Sequence, residues 1–185
     1  MSNSLAIAAV TTTLRNLIYQ GVAQELGSGI VTTQPPDKAR ENGDNGNQIN
    51  VFLYHILPNA SWRTMDLPNR VKPGQTGQPP LALNLYYIIT FYGKDNDDIL
   101  AHRLLGKAMH ILNDYAVLNP ADIKTSLGES DLHNQVERVR ITLQSMSLED
   151  VSKLWTTFQT QYRISAAYEV SVVLIESSLK ESHCC

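Results

Sequence analysis

Five histidines, eighteen carboxylates and two cysteines are the side chains with which this 185-residue sequence could hold a metal, move protons or attack a substrate. Their spacing argues against each use. His102 and His110 lie eight residues apart in one helical pattern, about 80° from each other around the axis. Gly106 between them supplies no ligand, and no H-E-x-x-H run occurs. His102 is expected to pair with Asp98 one turn earlier instead. Asp95, Asp97 and Asp98 have the look of a calcium loop but lack its glycine at the sixth position and glutamate at the twelfth. They read as a solvated turn followed by a helix cap. Cys184 and Cys185 are adjacent, which gives neither a disulfide framework nor a C-x-x-C spacing and fits a reducing compartment.

The phosphate-cradling patterns are missing too. Gly106-Lys107 is followed by Ala108 inside a helical pattern, and neither G-x-G-x-x-G nor G-x-S-x-G occurs. Glu169 stands alone in an apolar strand, expected either at a solvent-facing sheet edge or paired with Arg163 or Arg140. The expectation is a protein that is not an enzyme, with no catalytic, cofactor-binding or metal-ligating residues and no cofactor. Interface chemistry is better represented. Trp62-Arg63 lies in a loop rich in Pro and Asn, and Trp and Arg are favoured interface anchors. The same tryptophan could equally fold back on its own domain. The polar end that follows the last strand, with Ser177, Ser178, Leu179 and Lys180, either adds to a neighbour's sheet edge or is a disordered terminus.

The elements that must carry these residues follow from periodicity. Apolar side chains at Ile7, Val10, Leu14, Leu17, Ile18 and Val22 predict a helix over 5–25, capped by Ser4 and ended by Gly27. A short β-branched run, 30–33, stops at Pro35-Pro36, and 34–50 reads as a mobile loop. A buried strand is expected over 49–57, then a long loop over 58–80. Leu81 to Tyr92 is the most β-prone stretch and should be a central strand covered on both faces. Next comes a helix with Ala101, Leu104, Leu105, Ala108, Leu112 and Tyr115 on one stripe, led by Asp97 and Asp98. Residues 121–134 are ambiguous; 136–143 alternate as a strand. Ser147-Leu148-Glu149-Asp150 is a capping box opening a helix that turns Leu148, Val151, Leu154, Trp155 and Phe158 inward. A last strand spans 166–175. The order α-β-β-β-α-β-α-β predicts one α/β (α+β) domain, a single mixed sheet flanked by helices.

Bulk properties agree. The apolar fraction is 43% and the charged fraction 18%, enough to build one core and too few residues for two. The net charge of −3 and pI near 5.9 give no basic field, so nucleic acid and anionic membranes are not expected partners. No run approaches the roughly 18–20 apolar residues of a membrane span, and the first residues do not read as a signal peptide.

Several segments together resemble one family. Pro79 to Gly93 (PPLALNLYYIITFYG) is similar to its "PPLALDLHYLLTAYG" signature, and Ala101 to Met109 resembles its "HRLLGKAM" helix. Ser147 to Trp155 and Tyr162 to Ser171 resemble "SLEELSKLW" and "YRLSVAYEVS", and Val51 to Tyr54 with Asn59 its first strand and loop. Asn84 and Tyr86 depart from the Asp and His of the signature. The family is the cap-protein N-terminal domain of extracellular contractile injection systems, of the antifeeding prophage and Photorhabdus virulence cassette type. The resemblance implies a tail-terminator fold over residues 3–177 with a tail at 178–185. It implies a homohexameric ring that ends the inner tube, with tube and sheath proteins as partners. It implies cytoplasmic assembly into a phage-tail-like particle that is released outside the cell. The alternatives are an adaptor at the baseplate end or a small metal-dependent hydrolase. The resemblance assigns Trp62, Arg63 and Ser177 to Lys180 no role; they stand as candidate partner-binding residues on their chemistry alone.

Overall fold

The computed structural model describes residues 4–41, 43, 45–63, 80–135 and 137–175. Five strands, β1 (Ile30–Thr32), β2 (Gln48–Pro58), β3 (Leu81–Tyr92), β4 (Arg140–Gln144) and β5 (Ser165–Ile175), form one sheet in the order β1-β2-β3-β5-β4. β1 pairs with β2 in parallel and the other pairs are antiparallel, which makes the sheet mixed as expected. The helices are α1 (Ala6–Leu26), α2 (Ala60–Arg63), α3 (Asp98–Asp114), α4 (Pro120–Ser126) and α5 (Leu148–Thr157).

β3 is central because its sequence is apolar on both sides. Leu83, Leu85, Tyr87, Ile89 and Phe91 enter the main core beneath α1 and α3. Ile88, Thr90 and Tyr92 on the reverse face are buried as well. Tyr87 is wholly buried, and its hydroxyl meets the Thr11 hydroxyl at 2.8 Å. Burial pushes this phenol well above its ordinary pKa, with the Thr11 contact pulling slightly the other way. α1 tolerates three consecutive β-branched threonines because Thr11, Thr12 and Thr13 donate to the carbonyls of Ile7, Ala8 and Ala9. The three hydroxyls thereby find acceptors without leaving the helix.

The structure corrects several expectations. Leu5, not Ser4, is the N-cap of α1, and it makes no side-chain cap; Gly27 does end the helix, at φ 60°. The segment read as a mobile loop is pinned. Pro36 and Ala39 are buried, Gln48 donates to the Ala39 carbonyl at 2.7 Å, and Asn50 binds both the carbonyl and the N–H of Gln34. β2 is buried only in its first half, since Ile56 and Leu57 run beyond the helices that cover Ile49 and Val51. His102 makes no pair with Asp98; the one-turn pair on α3 is His110 with Asp114, at 3.4 Å. Leu148 is 87% exposed rather than inward, because the stripe of α5 begins before the helix reaches the sheet. β5 lies between β3 and β4, so it has no edge to offer. The turn and cap expected at Asp95 to Asp98 are present: Asp97 Oδ1 accepts from the N–H groups of Ile99 and Leu100.

Two glycines separate cleanly by their surroundings. A Cβ on Gly93 would fall on the carbonyl oxygen of Asp97, within the turn that aims α3. Gly106, exposed in the middle of α3, has open space where a Cβ would go. Gly93→Ala should therefore lower unfolding stability by about 1–3 kcal/mol, while Gly106→Ala should raise it by about 0.5–1 kcal/mol. Urea titrations of the two variants check both signs.

Candidate assembly surface

The sheet face turned away from α1 and α3 carries a chain of polar side chains that crosses four strands. Asn59, just beyond β2, donates from Nδ2 to Asn84 Oδ1 on β3 at 2.8 Å. Asn84 in turn donates to Glu169 Oε1 on β5 at 2.7 Å, and Gln144 on β4 donates to Glu169 Oε2 at 2.8 Å. Alternation explains why they meet. Leu83, Leu85, Tyr168, Val170 and Ile141 belong to the core on the helical side, so Asn84, Glu169 and Gln144 share the opposite one. Glu169 is neither at an edge nor paired with Arg163 or Arg140. Two amides hold its carboxylate in the interior of the sheet, half-buried.

Tyr54 and Tyr86 border this carboxylate, with ring centroids 6.4 Å apart, and the His55 ring lies 5.9 Å from that of Tyr86. Burial holds the Tyr54 phenol above its ordinary pKa, and Tyr86 and the negative charges of Asp150 and Glu169 add to the shift. The local potential is therefore acidic. Higher on the same face α5 is anchored by aromatic rings. Phe158 packs edge-on against Phe52 at 5.6 Å, and Trp155 packs against Phe158 and Tyr162 at 5.9 and 5.7 Å. Outside α5 lies an open groove of about 680 Å³ between Leu148, Val151, Trp155 and Tyr162, whose apolar rims Leu148 and Tyr162 are exposed.

Of the residues selected from the sequence, Trp62 lies in α2, half-buried, with its N–H donating to Asn59 Oδ1 at 3.0 Å. Arg63 closes the same short helix. Ser177, Ser178, Leu179 and Lys180 lie outside the described residues. The fold nevertheless brings the two candidate regions to one end of the sheet, because Leu81 pairs with Ile175 and Pro58 with Leu83. Exposed Ile56, Leu57 and Leu81 occupy that end. Sequence reasoning missed Asn59, Asn84 and Gln144 as partners of Glu169. The available signal was Asn84, a lone amide in an otherwise apolar or aromatic strand. Among the described residues no cluster of three or more His, Cys, Asp or Glu could hold a metal, and no helix is long and apolar enough to cross a membrane.

With this geometry in hand the comparisons are specific. The family model of the Pvc16 N-terminal domain matches residues 9–183. Two solved structures share the fold. One is the sheath/tube terminator of an extracellular contractile injection system, PVC, in its extended state, with TM-score 0.62 and 15% identity over 96% of this chain and 58% of that one. The other is the tube-terminating cap of the anti-feeding prophage, with TM-score 0.65 and 19% identity over 92% of this chain and 55% of that one. The chain thus spans somewhat more than half the length of each. No curated protein matches it.

The capping box expected at Ser147 is formed, and it sets the start of α5 beside the acidic face. Asp150 N–H donates to Ser147 Oγ at 3.1 Å, while the Asp150 carboxylate accepts from the Ser147 hydroxyl at 2.7 Å and from its N–H. Those two hydrogen bonds from Ser147, side chain first and then backbone, hold the Asp150 pKa below its ordinary value. A depressed carboxylate stabilises the fold above its unfolded pKa and loses that contribution as pH falls through the folded one. Ser147→Ala should lower the urea midpoint at neutral pH, and its deficit relative to the parent should shrink as pH drops below the ordinary aspartate range.

Proposed function

Because the chain belongs to the Pvc16 N-terminal domain family, we propose that it is a structural, non-catalytic cap protein that terminates the inner tube of a phage-tail-like contractile injection particle. The observation that carries this reading is the family match across residues 9–183, joined to a fold shared with two tube terminators. Residues 3–177 act as the capping domain and 178–185 as a tail. Six copies close into a ring through heterologous contacts, each subunit using two different patches. One ring face seats on the last tube layer; the other offers no copy of that surface, and growth stops.

Sheath contact falls to the end of the sheet where α2 and the C-terminal segment meet, with Trp62, Arg63 and Ser177 to Lys180 as its residues. The exposed apolar Ile56, Leu57 and Leu81 at that end support this choice. β5 itself is occupied on both sides, so only the segment beyond Ile175 is free to pair with a sheath strand. Assembly takes place in the cytoplasm, without nucleic acid or membrane, and the finished particle is released.

Light scattering and negative-stain imaging of the purified protein, alone and with the tube protein of the same particle, test the terminator role. The expected result is six-fold rings at tube ends and tubes of limited length. Tubes that lengthen without limit beside a monomeric protein overturn it. Deleting residues 177–185 should leave capped tubes intact while sheath attachment is lost; sheath retained on such particles refutes the role given to the tail.

A further inference from the structure

The two layers of the domain carry opposite unspent charge. On the face away from α1 and α3, Glu169 receives two amide hydrogen bonds and no cation within ion-pair distance. Arg140 lies on the same face, two residues along β4 from Thr142, the cross-strand neighbour of Glu169, yet closes no pair with it. Two amides fix the carboxylate without neutralising it, so its charge remains available to a donor that arrives from outside. Tyr54 and Tyr86 beside it present ring faces of the kind that favour a guanidinium or ammonium. On the opposite layer α3 exposes Arg103, with Lys107 one turn further and partly exposed, and neither has an acidic partner. The acids of α3 sit at its ends, where Asp98 lies in the first turn and Asp114 is held by His110.

We infer that the Glu169 face docks the basic middle of α3 from a second copy of this chain, Arg103 and Lys107 approaching Glu169 between Tyr54 and Tyr86. Complementary charge on opposite layers of one subunit makes the contact heterologous, since each copy offers its basic layer to one neighbour and its acidic layer to the other. This is the contact from which a closed ring is built, and the inference rests on the ring reading above. Like layers repel, which disfavours face-to-face dimers. Asn84 and Gln144 are positioning residues here, keeping both carboxylate oxygens at a fixed depth.

The test uses the full chain, with and without tube protein, and two variants: Glu169→Gln, and Arg103→Glu combined with Lys107→Glu. Unchanged circular dichroism and melting show that each remains folded. Sedimentation should show each variant alone associating roughly tenfold to a hundredfold more weakly than the parent. An equimolar mixture retains one intact contact, the Glu169 of one variant with the Arg103 of the other, and should recover pairs but not rings. If either variant forms rings as the parent does, this contact is wrong and the ring reading stands. If both variants fail and their mixture recovers nothing, the charges act by general repulsion rather than by mating, and the contact is again wrong. A parent that stays monomeric even with tube protein removes the ring reading and this inference together.

Discussion

A strand buried on both faces cannot leave its backbone groups unpaired, because each unsatisfied N–H or C=O away from water is costly. Leu81–Tyr92 meets that condition by pairing along nearly its whole length with β2 on one side and β5 on the other. The apolar side chains of both faces then require cover, supplied by α1 and α3 beneath and by the α5 aromatics above. Most of the remaining architecture follows from that demand. α1 is held to the strand by the Tyr87–Thr11 contact, and Gly93 turns the chain sharply enough for α3 to return along the same face.

The same strand explains why the reverse face is only partly covered. α5 has ten residues and is anchored by Phe52, Phe158 and Trp155, so it reaches one part of the face and leaves Asn84, Tyr86 and Glu169 to partial solvent. A carboxylate in the interior of a sheet needs hydrogen-bond donors to remain there. The amides on both flanking strands provide them. A surface of this kind, rigid, half-desolvated and charged, suits docking better than catalysis. It offers fixed polar groups among aromatic rings but no second titratable partner positioned for proton transfer.

Much of the fold was legible because the sequence is locally consistent. Leu81–Tyr92 is apolar at every position but Asn84 and Thr90, so only a central strand suits it; Asp97 and Ser147 announce the helices they cap. Misreadings arose where a local pattern outran its tertiary support. Leu148 belongs to the α5 stripe but no element covers it, and Ile56 and Leu57 continue an apolar strand past the end of the core. The 34–50 segment has the polarity of a free loop, yet its fixation depends on Gln48 and Asn50 reaching back from β2, a contact no window of neighbouring residues reveals.

Composition, periodicity and caps by themselves determined the elements, the class of the fold and the absence of familiar catalytic motifs, because each is written over stretches of a few to twenty residues. The four motifs spread along the chain pointed to the family, since their order and content specify far more than any periodicity does. Strand order was decided only by the tertiary structure. With β5 inserted between β3 and β4, Glu169 moved from a presumed edge to the interior, and Asn59, Asn84 and Gln144 were gathered around it from across the chain. Sequence separation conceals such a site because a cross-strand hydrogen bond depends on register and face, and both are set by packing far from the residues that share it.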